Sequence, residues 1–227
     1  LGTRDRGQDM WPKMKEDPGR VRRDLVHAMS FMYVTCDEPP TPAGERLTLR
    51  QKLHGMFPRQ YPSRWDHRDE PVANDNRPYT DSPLWLIESL CMYIRETGDV
   101  GVLREPVASV KLTEPDDPVH SGIVGCDVRR SILEVVFEVL ACFERHVADS
   151  PYGLAQALYG EWCDPVDMYG TSEVGDPATR GHGRGSHVRL SAQLVLDLVE
   201  VIDVCAAASV AAIVDEFDLR PRLARLR

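Results

Sequence analysis

The 227-residue chain carries a formal net charge of −9 with its basic residues scattered among acids, which argues against a nucleic-acid partner that would need a basic stripe. Its six cysteines, Cys36, Cys91, Cys126, Cys142, Cys163 and Cys205, form no C-x-x-C pair and mostly sit in apolar segments, so buried reduced thiols are expected and a metal site is not. The longest apolar run, 194–214, is interrupted by Asp197, Glu200 and Asp203, too many acids for a bilayer span. The expectation is a cytoplasmic protein with no membrane contact, long enough for one or two domains with a sizeable core.

Residues 8–35 read as a helix broken at Pro18-Gly19, with Leu25, Val26, Met29, Phe31 and Met32 on its buried face. Pro39, Pro40, Pro42 and Gly44 turn the chain. Residues 54–83 follow as a proline-rich loop carrying Arg59, Arg64, Trp65, Asp66, Arg68 and Tyr79. Its charged groups could fork onto sugar hydroxyls while Trp65 or Tyr79 stacks on a ring; a solvated surface loop explains most of them equally well. A structureless loop of ~30 residues is uncommon unless it works, which favours function for the loop as a whole.

A helix is then expected from Ser82, as N-cap, with Pro83 at its first position and Gly98 as its stop. Residues 104–127 look irregular, and Asp127 is placed to cap a helix over Val128–Ala148 that is apolar nearly all round. The Gly-rich stretch 170–186 could cradle a phosphate, although a linker is the commoner meaning of such a pattern. A last long helix is expected from His187 to Phe217, with Asp197, Glu200 and Asp203 on a stripe facing solvent or a neighbouring helix. The basic tail Arg220–Arg227 suits a helix C-terminus. No strand alternation stands out, so the predicted class is all-α.

Between the apolar segments lies Tyr159-Gly160-Glu161-Trp162-Cys163-Asp164-Pro165-Val166-Asp167-Met168-Tyr169-Gly170, with three aromatics and three acids. Such a loop on a rigid scaffold is where chemistry tends to sit. The Trp162 indole offers a flat apolar face to a pyranose, and the Asp164 carboxyl can pass a proton to a glycosidic oxygen. The plainer alternative is an acidic connection between helices whose Trp plugs the core.

The stretch resembles the G-D-W-N-D-G motif of the inverting disaccharide and oligosaccharide phosphorylases, a family that includes cellobiose phosphorylase and the cyclic β-1,2-glucan synthases. Three further segments agree in order. Arg4-Asp5-Arg6-Gly7-Gln8-Asp9 resembles R-D-x-x-Q-D. Asp81-Ser82-Pro83-Leu84-Trp85-Leu86 resembles D-D-x-L-W-L and runs into Tyr93-Ile94-Arg95-Glu96-Thr97-Gly98-Asp99, similar to Y-x-x-x-T-G-D. Gly183-Arg184-Gly185-Ser186 resembles the start of G-x-G-E-S-V, with Ser186 where the family has Glu.

The resemblance implies that residues 1–227 are a fragment of one (α/α)6-barrel catalytic domain. It implies phosphorolysis of a β-glucosidic linkage, with inorganic phosphate as co-substrate, no other cofactor and no metal. The motif looks closest to the β-1,2-oligoglucan branch. Asp164 falls on the family's general acid and Trp162 beside the transferred sugar. Arg4 and Asp9 fall on positions that hold donor hydroxyls, and Glu161 on a supporting acid. Asp81 is either a helix cap or part of the sugar site, and Trp65 is a candidate stacking platform. Cys163 for Asn and Pro165 for Gly depart from the motif but leave the acid in place. The implied partners are an oligosaccharide and phosphate, with a homodimer as the family's frequent assembly. The rival readings are a hydrolase, using Asp9 or Asp66 as base, and a catalytically incomplete sugar-binding fragment.

Overall fold

The computed structural model describes residues 2–35, 46–162 and 181–226. Among them eight α-helices and a two-stranded hairpin enclose a single apolar core, so the chain is mostly helical but not all-α. Among the described residues no helix is long and apolar enough to cross a membrane.

The first two helices are α1 (Thr3–Met10) and α2 (Pro18–Met29), separated at the expected Pro18-Gly19 break. Asp17 caps α2 by accepting the Arg20 N–H at 2.9 Å, and Pro18 occupies the first turn, where its missing N–H costs nothing. After the short α3 (Leu49–Leu53) comes α4 (Ser82–Thr97), which packs against both α1 and α2. It ends as predicted at Gly98, whose φ of 71° suits glycine and whose N–H donates to the Ile94 carbonyl at 2.8 Å. Its start differs by one residue: Asp81, not Ser82, stands at the N-cap position.

The stretch expected to be irregular contains the antiparallel strands β1 (Pro106–Leu112) and β2 (Ile123–Ser131). A register slip between Ala108 and Val110 buries Ser109 and Val110 side by side, which erases the two-residue alternation that marks a strand. β2 passes without a loop into α5 (Ile132–Asp149). Ser131 is both the last strand residue and the helix cap, in a reciprocal pair with Glu134. The expected cap at Asp127 is therefore corrected: that residue lies within β2.

The proline-rich stretch after α3 is bonded into this hairpin. Val72 and Ile123 exchange backbone hydrogen bonds at 2.9 Å, the Gly125 N–H donates to the Arg68 carbonyl, and Asn76 Nδ2 donates to the Ser121 carbonyl. Satisfied in this way, a segment without helix or strand can still be fixed in place.

The predicted last helix, His187 to Phe217, is two, α6 (Val188–Ala206) and α7 (Ala208–Glu216), and the basic tail forms a further short helix, α8 (Arg220–Leu226). The break falls at Ala207, whose ψ of 136° is extended; no proline or glycine marks it in the sequence. The acidic stripe is also divided. Asp203 is exposed and Glu200 pairs with Arg95 of α4, but Asp197 is only 1% exposed and turns into the α4–α6 contact. Val188, Val195, Leu196 and Val199 lie on the exposed side instead.

Candidate functional site

Helix α1 crosses α4 closely because Gly7 sits against the Trp85 backbone, where a Cβ would come within 3.3 Å of the carbonyl oxygen. Trp11 Nε1 donates to Ser89 Oγ at 3.0 Å, and Ser89 Oγ in turn donates to the Gly7 carbonyl, locking the crossing. The Thr3 N–H, bonded to the Arg59 carbonyl at 2.6 Å, fixes the start of α1. These contacts seat Arg4 at the beginning of α4.

There the Asp81 carboxylate accepts from Arg4 Nη1 at 3.4 Å and from Trp85 Nε1 at 3.0 Å, both at Oδ2. Although Asp81 stands at the N-cap position, its side chain makes no capping bond. It is fully buried, and Oδ1 has no hydrogen-bond partner. Burial pushes its pKa above the usual carboxylate range, opposed by Arg4, by the Trp85 bond and by Arg189, while the Glu161 charge adds to the rise.

A second limb is delivered by residues 158–160, which run beside residues 78–80. The Thr80 N–H donates to the Gly160 carbonyl at 2.9 Å, and the Leu158 N–H donates to Thr80 Oγ1 at 3.0 Å. Gly160 is required because a Cβ would lie 2.8 Å from the Tyr79 ring. Gly160→Ala is expected to cost about 2 kcal/mol by overpacking, lowering the melting temperature by roughly 4–8 °C. An unchanged melting curve would mean that the Tyr79 ring can swing aside freely.

Just beyond, Glu161 is 1% exposed and accepts from Arg189 Nη1 at 2.9 Å, with His187 Nδ1 3.3 Å from its other carboxylate oxygen. Arg189 also donates to Gln193 at 3.0 Å, and its guanidinium lies 5.8 Å from the Trp85 ring centre and 5.3 Å from that of Trp162. Trp162 is 55% exposed, so part of its indole is open to solvent.

Arg4, Asp81, Glu161 and Trp162, expected at the site from three separate segments, thus come together. Two expected residues do not join them. Asp9 is exposed and lines a different cavity of about 250 Å³ with Arg6, Lys13, Arg20, Asp24 and His27. Trp65 stacks on Phe31 with ring centres 5.7 Å apart, with the Arg68 guanidinium 4.8 Å from its own ring centre, so it packs beside the α2 end. Asp164 lies outside the described residues, as does most of the Gly-rich stretch 170–186. In the described end of that stretch, Arg184 donates to the Asp149 carbonyl; just after it, His187 turns to Glu161.

Two members of the cluster were not expected. Trp85 stands four residues after Asp81, one helical turn along, so the spacing carried the signal. Arg189 sits near the start of an otherwise apolar helix, and no pattern in the sequence singles it out.

The assembled groups are two buried carboxylates, two guanidiniums and an open indole, which suits a hydroxyl-rich ring better than an apolar ligand. Asp81 and Glu161 are both buried and engaged, so they fit binding and support rather than proton delivery. Among the described residues no group of three or more His, Cys, Asp or Glu side chains is arranged to hold a metal ion. No family model matches the chain, and no curated protein matches it.

Proposed function

We propose that this chain is catalytic-domain sequence of an inverting phosphorylase that transfers a glucosyl group from a β-linked glucose oligosaccharide to inorganic phosphate. The carrying observation is convergence. Arg4, Asp81, Glu161 and Trp162 come from three segments far apart in sequence, each matched on its own to a family motif, and they meet around one polar cluster.

In this mechanism Trp162 stacks on the transferred ring while Asp81 Oδ1, buried and unpartnered, accepts a sugar hydroxyl. Arg4 and Trp85 hold the Asp81 carboxylate in place, and Arg189 fixes Glu161, the residue before Trp162. A phosphate oxygen attacks the anomeric carbon as the glycosidic C–O bond breaks. Asp164 gives its proton to the leaving oxygen, and the product is the α-glucosyl phosphate. Phosphate as nucleophile removes the need for the second carboxylate that an inverting hydrolase uses to activate water. Asp9 turns to the α1–α2 cavity and Asp66 is exposed on its loop, which supports phosphorolysis over a hydrolase using either as base.

The scaffold in this reading is part of an (α/α)6 barrel. Helix α6 buries an aspartate and exposes Val188, Val195, Leu196 and Val199, the opposite of a solvent-facing helix and the pattern of one with a neighbour on its outer side. The experiment is incubation of the protein with β-1,2- and β-1,4-linked glucose oligosaccharides, with and without phosphate. Phosphate-dependent release of α-glucose 1-phosphate is the expected result, and free glucose formed without phosphate would replace the assignment with a hydrolase.

A further inference from the structure

Lys52, in α3, is among the largest fully buried side chains of the protein, with 1% of its side chain exposed. Its ammonium donates to the Gly183 carbonyl at 2.6 Å and reaches the His182 carbonyl at 3.5 Å, with Asp149 of α5 at 3.7 Å. Burial pushes its pKa down to about 8, opposed by Asp149 and assisted by the nearby Arg46 and Arg184. A charge this deeply buried depends on the hydrogen bonds it makes to compensate its desolvation.

What they hold is the segment that enters the site. Beyond Gly183 the chain pairs with residues 155–157: the Ala157 N–H donates to the Gly185 carbonyl at 2.9 Å, and Gln156 bridges to Ser186. Arg46 Nη2 donates to the same His182 carbonyl at 3.2 Å, and Ser150 and Ser186 hydroxyls meet at 3.0 Å. Next come His187 and Arg189, which both face Glu161 among the described residues. The Lys52 end of α3 is itself fixed on α5, since His146 Nε2 lies 2.9 Å from the Lys52 carbonyl oxygen.

We infer that Lys52 is a positioning residue for the Glu161 site, its ammonium seating residues 182–186 so that His187 and Arg189 arrive at the carboxylate from the far side. It touches no site residue; it acts through the backbone carbonyls of the connecting segment. Its consequence for turnover rests on the cluster's being a sugar site, whereas the seating does not.

The test is amide hydrogen exchange on the full chain, which needs neither substrate nor activity. Lys52→Met keeps the length and bulk of the side chain but removes every donor. It is expected to raise exchange at residues 155–157 and 183–190 by about tenfold, the scale of a lost hydrogen bond to a charged group, while α4 and the hairpin stay protected. Lys52→Arg, which restores a charged donor, is expected to recover most of that protection. Lys52→Leu, shorter and likewise without a donor, carries the same comparison if the Met variant does not fold. Unchanged exchange at 183–190, or a rise shared equally by α4, would overturn the inference. Glucosyl phosphate release with flat exchange would fail Lys52 alone, and the expected exchange pattern without any product would fail the phosphorylase assignment alone.

Discussion

Asp197→Asn is expected to be more stable than the unmodified chain at about pH 7, by roughly 2–4 kcal/mol, and to melt roughly 5–15 °C higher. Asp197 is 1% exposed on the α4 side of α6, where burial first, and then the Glu88 and Glu200 charges, push its pKa up from 3.8 to about 8. Its Oδ2 has no hydrogen-bond partner. The folded protein therefore holds a proton that the unfolded chain releases. Below about pH 4 both states are protonated and the site costs nothing. From there to about pH 8 stability falls by about 1.4 kcal/mol per pH unit, and above that the loss is complete. Asparagine is close to the protonated carboxyl in shape and carries no such cost. Thermal melts of both proteins between about pH 4 and 9 should start together at the acid end and separate as pH rises; parallel curves would show that Asp197 ionises normally in the folded state.

The acid side is set by groups with the opposite sign. Glu138 is held down to about 2 by His54 and Arg222, against burial, and Asp75, Asp99 and Asp149 are also lowered by their partners. Each contributes stability above its unfolded pKa that is lost as pH falls through the folded value. Asp197 loses stability upward, whereas this group and the buried His146, whose pKa burial lowers from 6.5 to about 3, lose it downward, so the two trends oppose each other between about pH 4 and 6.5. Removing Asp197 moves the optimum toward higher pH.

The helices with strong local signals were legible in the chain. Pro83 and Gly98 bracket α4, Pro18 opens α2, and α5 is apolar on more than one side, all of which are properties of neighbouring residues. What was not legible depends on distant residues. β1 hides because its bulge puts Ser109 and Val110 on the same side, and the strand is recognisable only beside β2 and the Tyr33 and Val34 backbone. The α6–α7 break at Ala207 has no helix-breaking residue to announce it. Asp197 and Glu200, three residues apart, look equivalent as a stripe, and only the position of α4 decides that one is buried and the other paired with Arg95. At the site the same division holds. Arg4, Asp81, Glu161 and Trp162 stand inside motifs and were named, whereas Arg189 became visible only when folding set its guanidinium near two indoles. Trp65 and Asp9 had suitable chemistry, but their surroundings give them other neighbours.

Asp164→Asn is expected to reduce phosphorolysis of an oligosaccharide by roughly 10²–10⁴-fold, the usual contribution of a positioned proton donor. The role of that donor can be separated from binding by changing the leaving group. An alkoxide leaving from a sugar is strongly basic and needs the proton as the C–O bond breaks. A nitrophenolate is weakly basic and can leave without one. With a nitrophenyl β-glucoside and phosphate, Asp164→Asn should therefore recover most of the lost rate. Asp81→Asn should behave differently. Its defect lies in holding the glucosyl ring, through the oxygen that has no partner inside the protein, so the activated leaving group gives it no relief and both substrates lose rate together. A variant at 164 that is equally slow on both glucosides would move the acid to another residue, and one that retains full oligosaccharide activity would remove Asp164 from the chemistry altogether.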